Sequence, residues 1–253
     1  MGVKTLLDLS SRVALITGGS RGLGLQIAEA LGEMGAKLAL TARKKDELDE
    51  AAARLNAQPY VCDIGKREQI GPLAEQVLRK FGKVEILVNN AGAAWGEPAE
   101  THQLEAWDKL LNVNLSGAFV LTQIVAKKSM IPARWGRIIN VASIAGLMGQ
   151  DPRFAPTAAY TATKHGLVGL TRQLAAEWGV HGITVNAICP GFFPSKMTRA
   201  TLDKMSNAIL EMTPNRRLGN DEDLKGLAVL LASEASRHIN GQAIAVDGGA
   251  TIV

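Results

Sequence analysis

Tyr160 and Lys164 are the pair of residues whose types and spacing most directly suggest chemistry. They lie four residues apart in AAYTATKHGLVGLTRQLAAEW, a segment whose pattern predicts a helix. On a helix this spacing brings a phenol and an ammonium to one face, about 5–6 Å apart at Cβ. A neighbouring cation stabilises phenolate and lowers the phenol pKa from its usual value of about 10. We therefore expect Tyr160 to exchange a proton with an alcohol or a carbonyl, the alternative being an ordinary surface pair.

A glycine-rich segment follows the first predicted strand and precedes a predicted helix. It reads TGGSRGLG over residues 17–24. Its glycines allow a tight turn and close approach to a ligand, and the free N–H groups of the helix N-terminus attract phosphate. The segment lacks the Gly-Lys-Ser/Thr ending of a nucleoside-triphosphate loop. We expect a dinucleotide site rather than a plain turn, and its contacts would be Gly18, Ser20, Arg21, Gly22, Leu23 and Gly24.

The choice of coenzyme depends on the end of the second predicted strand. An enzyme that selects NAD places Asp or Glu there, where the carboxylate binds the ribose 2′-hydroxyl. Here the sequence is Thr41-Ala42-Arg43-Lys44, with no carboxylate before Asp46. Arg43 is placed to pair with a 2′-phosphate, and Arg21 could face the same group. This pattern favours NADP(H), with NAD(H) possible; the alternative is two solvent-exposed arginines.

The elements that would position these residues follow from a regular alternation along the 253-residue chain. Short β-rich runs alternate with longer segments of helical periodicity, which predicts right-handed crossovers and a parallel sheet with helices on both faces. We expect a single α/β domain over residues 1–253, with a Rossmann-type, doubly wound, seven-stranded parallel sheet. The predicted strands are 12–17, 37–41, 58–62, 84–89, 137–142, 183–189 and 242–246, and the predicted helices are 23–34, 46–56, 66–81, 104–130, 158–180 and 221–232.

Composition narrows the class of protein. The net charge is +4 and the basic pairs are scattered, which argues against a nucleic-acid partner. No apolar run approaches the roughly 18–20 residues that a membrane span needs, and the N-terminus is too short and polar for a signal peptide. Cys62 and Cys189 are far apart and show no metal-type spacing, so we expect buried thiols, no metal site and a cytoplasmic location.

Taken together, the motifs resemble those of the short-chain dehydrogenase/reductase family, in its compact form of about 250 residues. The likeness covers essentially the whole chain, and the motifs stand in the expected order. They are TGGSRGLG at 17–24, Asp63, NNAG at 89–92, Asn114 in NVNLSGAF, Ser143, Tyr160 with Lys164, Pro190-Gly191 and the C-terminal VDGGA. The residues 187–198 (AICPGFFPSKMT) are similar to the gluconate 5-dehydrogenase-like branch, and the 3-oxoacyl reductase-like branch is also similar.

The resemblance implies roles for four catalytic residues. Tyr160 would be the general acid in reduction and the general base in oxidation, while Lys164 would lower its pKa and bind the nicotinamide ribose. Ser143 would donate a hydrogen bond to the substrate oxygen, where charge develops. Asn114 would hold a water that links Lys164 to solvent, although it could also satisfy a buried backbone group.

The resemblance also implies further coenzyme contacts. Asp63 and Ile64 would contact the adenine, although Asp63 could equally be a helix N-cap. Asn90, Ala91 and Gly92 would line the adenosine ribose, with Asn90 also bracing the sheet. The backbone near Pro190, Gly191 and Phe193 would meet the nicotinamide carboxamide, and the hydride chemistry would belong to the coenzyme.

Segments after the strands are expected to form the substrate cleft. Residues 147–157 and 190–207 look irregular, and the substrate loops would cover about 93–103, 144–157 and 190–210. The interval of 17 residues from Ser143 to Tyr160 is longer than in many members, so its extra residues would form a loop over the cleft. Apolar candidates, each equally compatible with the core or an interface, are Trp95, Met148, Phe154, Phe192, Phe193 and Met197, and possible contacts to an anionic substrate are Arg153 and Lys196.

The expected activity is interconversion of a ketone and a secondary alcohol with NADP(H), on a substrate with an apolar part rather than a sugar acid. Two alternatives stay open: an isomerase, epimerase or lyase of the same fold without net coenzyme turnover, and a nucleotide sensor without catalysis. The family is usually tetrameric, so we expect a homotetramer. Long helices, an apolar C-terminus and the small residues Ala175, Ala176, Gly179 and Gly182 favour close packing between subunits.

Overall fold

Parallel strands form the centre of the computed structural model, which describes residues 1–151 and 156–253. In chain order they are β1 (Val13–Thr17), β2 (Lys37–Ala42), β3 (Gln58–Val61), β4 (Ile86–Asn89), β5 (Gly136–Val141), β6 (Ile183–Pro190) and β7 (Ala243–Val246). The seven lie side by side in the order β3-β2-β1-β4-β5-β6-β7, and each adjacent pair is parallel. The predicted sheet is therefore confirmed. Its order reverses between β1 and β4, and ligands bind beyond the carboxyl ends of strands at such a point.

Helices cover both faces of the sheet, as the alternating pattern predicted. They are α1 (Val3–Leu7), α2 (Gly22–Glu33), α3 (Lys45–Leu55), α4 (Arg67–Phe81), α5 (Leu104–Ala133), α6 (Ala158–Trp178), α7 (Arg199–Met212) and α8 (Lys225–Ala232). One apolar cluster joins the sheet to α2, α3 and α8. A second cluster joins the opposite face to α4, α5 and α6. Strands covered on both faces should be apolar throughout, and every residue of β1 and β6 is buried.

The helix α5 contains two π-helical turns and is the longest apolar element. The turns are Asn112–Ser116 and Ala126–Met130. By length and composition, α5 could cross a membrane, contrary to the expectation that no segment qualifies. The most apolar window of α5 is 44% buried inside the fold, and Leu121, Val125 and Met130 are fully buried against the sheet. A core helix that packs on a sheet meets the same criterion of length and composition.

Two predictions near the C-terminal third were wrong. Residues 190–207 were expected to be irregular, but α7 begins at Arg199 within them. Only Ile209 of α7 is buried, so its apolar pattern is weak even though its residues are mostly good helix formers. The helix predicted from 221 begins at Lys225, because the Asn220 side chain accepts hydrogen bonds from the N–H groups of Glu222 and Asp223 and forms a turn there.

Both cysteines are free and buried, as expected. Cys62 and Cys189 are 3% and 0% exposed. Burial raises the pKa of each thiol to about 11, so both remain protonated at neutral pH. Cys189 lies at the end of β6, close enough to Lys164 for the lysine charge to affect its pKa.

Candidate active site

The candidate residues converge at the carboxyl edge of the sheet. The glycine loop follows β1, Arg43 follows β2, and Asp63 comes two residues after β3. Asn90 follows β4, Ser143 comes two residues after β5, and Gly191 follows β6. Because parallel strands share one carboxyl edge, six separate segments of sequence form one crevice around the switch point between β1 and β4.

Tyr160, Lys164 and Ser143 form the catalytic candidate cluster. Tyr160 and Lys164 lie on the first two turns of α6, and the Lys164 Nζ atom is 5.6 Å from the centroid of the Tyr160 ring. Lys164 is 4% exposed, and its Nζ donates a hydrogen bond of 2.8 Å to the Val141 carbonyl at the end of β5. Ser143 Oγ accepts a hydrogen bond of 3.1 Å from the Ala145 N–H, which fixes the turn after β5. The predicted side-chain pair is therefore brought together, with Lys164 buried and Tyr160 half-buried rather than exposed on the surface.

The expected lowering of the Tyr160 pKa is not found in this structure. Burial raises the pKa of Tyr160, and a side-chain hydrogen bond with Ser143 acts in the opposite direction. The Lys164 ammonium is also desolvated, and burial lowers the pKa of Lys164 to about 8. The prediction was wrong in direction because desolvation of the phenolate outweighs its attraction to a nearby ammonium.

Asn114 lies on the first π-helical turn of α5, with a side chain that is 1% exposed. Its Oδ1 accepts from the Ala93 N–H at 2.8 Å, and its Nδ2 donates to the Ala93 carbonyl at 2.9 Å and to Thr163 Oγ1 at 3.0 Å. The Thr163 hydroxyl in turn donates to the Tyr160 carbonyl. Asn114 therefore ties the segment after β4 to α6, which agrees with the alternative that it satisfies buried backbone groups. Single π-helical turns often mark functional sites.

Thr17 and Asn90 join the glycine loop to the end of β4. The Thr17 hydroxyl accepts hydrogen bonds of 2.9 Å from the N–H groups of Asn90 and Ala91. The Asn90 amide donates back to the carbonyls of Thr17 at 2.9 Å and Gly18 at 3.1 Å. Asn90 thus braces the sheet as expected. The role of Thr17 was missed, although its position as the last residue of the first strand was visible.

The glycines of the loop are needed for different structural reasons. A Cβ at Gly24 would lie 2.3 Å from the Asn90 amide nitrogen and from the Gly18 carbonyl oxygen, so this position must stay bare. Gly18 and Gly22 both have left-handed backbone, with φ of +64° and +55°. A Cβ at Gly22 would meet nothing within 4 Å, so the loop there faces open space. The N-terminus of α2 has no side-chain cap, which leaves its N–H groups for a ligand.

Asp63 is held by local hydrogen bonds and is not a helix cap. Its Oδ1 accepts from the Gly65 N–H at 3.0 Å, and its own N–H donates to the Gln69 side chain at 2.8 Å. The cap position of α4 belongs to Lys66. Ile64 is 5% exposed and packs in the core near Gly117, so any contact of Ile64 with a ligand would come from its backbone.

Arg43 and Arg21 differ in their surroundings. Arg43 is exposed and forms no hydrogen bond or ion pair with the part of the chain that the structure describes. Arg21 pairs with Glu47 at 2.9 Å, and Glu47 also accepts from Lys44 and Lys196, each at 3.2 Å. These cations hold the pKa of the Glu47 carboxyl below its usual value, with the Lys196 hydrogen bond as the largest cause. Glu47 was not singled out from the sequence.

The segment after β6 is fixed by packing. The N–H of Gly191 donates to the Val246 carbonyl, and a Cβ at Gly191 would lie 2.8 Å from Asp247 Cβ. Phe193 is 4% exposed and belongs to the core, where its ring lies against Gly219. Phe193 is therefore excluded as a side chain of the cleft. Pro190 is buried as the last residue of β6.

Two of the expected substrate loops touch each other. The Glu97 N–H donates to the Pro156 carbonyl at 2.8 Å, and Glu97 pairs with Thr157 in an isolated β-bridge. The Glu97 carboxylate also accepts from Trp95 Nε1 at 3.0 Å. Trp95, Met148 and Met197 are exposed, which is compatible with a cleft. Arg153 and Phe154 lie outside the described residues.

The arrangement suits a dinucleotide on three counts: the uncapped α2 N-terminus, the open face of Gly22 and the unpaired Arg43. The backbone of Gly92 lies beside the catalytic candidates, since a Cβ at this position would lie 3.7 Å from Lys164 Nζ and 3.5 Å from Asn114 Oδ1. Within residues 1–151 and 156–253, no group of three or more His, Cys, Asp or Glu side chains could hold a metal ion.

Comparison with known proteins identifies the class. A family model described as enoyl-(acyl carrier protein) reductase, of the short-chain alcohol dehydrogenase type, matches residues 18–251. Gluconate 5-dehydrogenase of Gluconobacter oxydans is 37% identical over 98% of this chain and 97% of its own length. The 3-oxoacyl-acyl-carrier-protein reductase of Escherichia coli is 35% identical over 98% of this chain and 100% of its own length.

A solved structure gives the same result. The crystal structure of a gluconate 5-dehydrogenase from Burkholderia cenocepacia, in complex with NADP and tartrate, covers 100% of both chains. Its TM-score is 0.94 and its sequence identity is 34%. The chain therefore belongs to the short-chain dehydrogenase/reductase family. It is an NAD(P)-dependent oxidoreductase of that family.

The buried Lys164 predicts a specific pH dependence of stability. The unfolded chain keeps the lysine proton up to about pH 10.5, whereas the folded chain releases it at about pH 8. The unfolded state therefore binds more protons between these values, so stability rises with pH in that window and the destabilising effect is complete below it. Relative to Lys164→Met, the wild type should gain up to about 3 kcal/mol of unfolding free energy between pH 7 and pH 10.

Urea unfolding of both proteins at the two pH values measures this difference. Titrating groups remote from Lys164 cancel in the comparison, and Lys80→Met, at a surface position of α4, is the control for loss of a lysine at an exposed site. A gap between wild type and Lys164→Met that does not change with pH would contradict the assignment.

Proposed function

We propose that this protein interconverts a ketone and a secondary alcohol with NADP(H), with Tyr160 as the general acid and base. The observation that carries the proposal is the convergence of Tyr160, Ser143 and Lys164 at the crevice. The nicotinamide nucleotide, when bound, accepts or supplies the hydride. The chain then has to hold the substrate oxygen and move one proton.

The protein residues divide this task. Ser143 Oγ accepts from the Ala145 N–H, and its hydroxyl also makes a side-chain hydrogen bond with Tyr160; when substrate binds, that hydroxyl donates its proton to the substrate oxygen and stabilises negative charge there. The Tyr160 hydroxyl gives its proton to that oxygen in reduction and takes it back in oxidation. Lys164, fixed by the Val141 carbonyl and facing the bare backbone of Gly92, binds the ribose hydroxyls beside it.

Burial suits Tyr160 to proton donation but makes its hydroxyl less acidic. Desolvation raises its pKa, which keeps the hydroxyl protonated and suited to donation in the direction of ketone reduction. For oxidation, the nearby Lys164 charge and the Ser143 hydrogen bond must stabilise the phenolate. Asn114, which contacts Ala93 and Thr163, positions α6 relative to the segment after β4 and could also hold a water at its π-helical turn.

Arg43 supports the preference for NADP(H). It follows β2, where the ribose 2′ position lies in this type of fold, and it has no partner among the described residues. Arg21 stands on the other side in the glycine loop and is shared with Glu47. Three cations, Arg21, Lys44 and Lys196, pair with the single carboxylate of Glu47, and this excess of positive charge suits a phosphate.

The substrate is proposed only as a class, a small ketone or secondary alcohol. The relatives include a gluconate 5-dehydrogenase and a 3-oxoacyl reductase, whose named substrates differ greatly in polarity. The exposed apolar side chains Trp95, Met148 and Met197 favour a substrate with an apolar part. A panel should therefore contain polyhydroxy ketones, oxo-thioesters and aryl ketones.

A homotetramer in the cytoplasm completes the proposal. Two buried thiols suit a reducing compartment. Of the four small residues invoked for subunit packing, Ala176 and Gly179 are exposed and available. Ala175 and Gly182 are instead used inside the chain, where Ala175 lies against Gly241 and Gly182 against the Arg134 carbonyl. The exposed Phe119 and Leu104 of α5 add apolar surface.

Substitution Tyr160→Phe should reduce kcat at least a thousandfold, because the proton donor is removed while the ring is kept. NADPH affinity, followed by the fluorescence of the bound nicotinamide, should change less than threefold. Tyr60→Phe is the matched control, since Tyr60 is the other tyrosine of the chain and its buried hydroxyl has no hydrogen-bond partner among the described residues. It should leave kcat unchanged.

The same assays, on the wild type and on Tyr160→Phe, separate the alternative functions. Catalysis by the wild type without net change in nicotinamide absorbance would indicate an isomerase, epimerase or lyase. Nucleotide binding without turnover of any substrate in the panel would favour a sensor. Turnover that survives in Tyr160→Phe would refute the assignment of the acid and base.

Substitution Arg43→Ala should weaken NADPH binding roughly tenfold or more while leaving NADH binding nearly unchanged, because only NADPH carries the 2′-phosphate. The measurement is a fluorescence titration with each nucleotide. Arg199→Ala, at an exposed position of α7, is the control. If the wild type binds NADH as tightly as NADPH, the preference for NADP(H) fails and the family assignment stands.

Light scattering coupled to size exclusion should give a mass near four times 26.8 kDa. The exposed apolar residues Leu104 and Phe119 of α5 would be covered in a tetramer, and Phe119→Glu should shift the mass downward by placing a charge in that interface. A wild-type monomer would refute the tetramer.

A further inference from the structure

Lys196 and Glu47 form an ion pair between two distant parts of the fold. Lys196 belongs to the segment that follows β6, and Glu47 lies in the first turn of α3, which follows β2. Three strands, β1, β4 and β5, lie between β2 and β6 in the sheet. With neighbouring strands about 4.8 Å apart, the two strand ends are roughly 19 Å apart. Residues 191–196 therefore extend along the carboxyl edge, past the crevice, to reach α3.

The turn that carries Lys196 is anchored on both sides. Thr198 Oγ1 donates to the Phe193 carbonyl at 2.6 Å and accepts from the Ser195 N–H at 3.0 Å. The Phe193 ring is buried in the core, and the Phe192 carbonyl accepts from the Gly219 N–H. These hydrogen bonds fix the turn that carries Lys196. Its ion-pair partner, the Glu47 carboxylate, lies at the ribose end of the crevice.

Glu47 gathers cations from three segments. Arg21 comes from the glycine loop, Lys44 precedes α3, and Lys196 comes from the segment after β6. The three exceed the charge of one carboxylate by two, and the unpaired Arg43 lies three residues before α3's first acidic residue. An anion with more negative charge and more acceptor oxygens than a carboxylate would compete well for these donors. A phosphate monoester is such an anion.

We propose that Lys196 is a specificity-determining residue that binds the 2′-phosphate of NADP(H), and that Glu47 competes with that phosphate for Lys196, Lys44 and Arg21. The proposal rests on the NADP(H) preference stated above and adds a residue from the substrate side of the crevice. Because residues 190–193 adjoin the expected nicotinamide end, the same segment connects the ribose-phosphate end of the crevice with the nicotinamide end. NADH has no 2′-phosphate, so in the NADH complex Lys196 stays paired with Glu47.

The competition gives the two substitutions opposite effects. Lys196→Gln removes a phosphate donor and should weaken binding of adenosine 2′,5′-bisphosphate roughly three- to tenfold, a range that allows for solvent exposure. Glu47→Gln removes the competing anion and should tighten it by a similar factor. Neither should change the affinity for adenosine 5′-phosphate by more than about twofold, because that ligand lacks the 2′-phosphate.

Titration calorimetry with these two nucleotides tests the proposal without any dependence on turnover. The quantity compared is the ratio of their dissociation constants in each protein. Lys45→Gln and Asp49→Asn are the matched controls, since this ion pair on the same helix has the same charges and does not touch Glu47. Lys196→Arg keeps the charge and should retain most of the wild-type ratio.

The outcomes are distinct. An unchanged ratio in Lys196→Gln, or an equal change in Lys45→Gln, would overturn the role of Lys196 as a specific contact. Weaker binding of the bisphosphate to Glu47→Gln than to the wild type would refute the claim that Glu47 competes with the 2′-phosphate. A wild type that does not distinguish the two nucleotides would instead overturn the NADP(H) preference itself. If Glu47→Gln weakens NADH binding alone, Glu47 is a ribose-binding carboxylate and the proposal is wrong.

Discussion

The hydrogen bonds between Thr17 and Asn90 are the constraint on which the crevice depends. The switch point of the sheet lies between β1 and β4, where the connections leave in opposite directions and nothing in the ladder itself closes the gap beyond the strand ends. One threonine hydroxyl and one amide join the two segments by four hydrogen bonds. They require a bare Gly24, since a Cβ there would collide with the amide. The shape of the nucleotide site therefore follows from packing between two loops.

The second constraint is the burial of charge beside the reacting groups. Lys164 keeps one strong backbone acceptor and loses water, so its ammonium is less stable than in solution. Tyr160 is affected in the opposite sense, because burial disfavours its phenolate. A proton donor and a weakened cation then lie close together, and small electrostatic changes at the crevice can move the proton. Such a site reduces the stability of the fold in return for reactivity.

Much of the fold could be predicted because its signals are local. The seven strands are runs of apolar residues buried on both faces, and the glycine loop has a recognisable spacing. α7 was missed because a helix with one buried residue has almost no apolar periodicity. The pKa of Tyr160 was wrong in direction because neighbours along the sequence reveal a nearby charge and reveal nothing about solvent access. The alternative of a helix cap at Asp63 was wrong because the cap position of α4 is Lys66, three residues further on.

Glu47 shows the limit of reading a site from strand ends. Directly after β2 the chain has Arg43 in place of a carboxylate, and this residue favoured NADP(H). A carboxylate one helical turn later nevertheless reaches the same region, and its charge is matched by cations that come from positions 21, 44 and 196. No sequence pattern joins residues 149 positions apart, because their contact depends on how the segment after β6 follows the carboxyl edge. If a phosphate and a carboxylate share the same donors, coenzyme preference is set by the balance between them rather than by the arginine alone. These ion pairs are exposed, so their electrostatic interactions weaken as ionic strength rises. The coenzyme preference is therefore a property of the whole charged cluster.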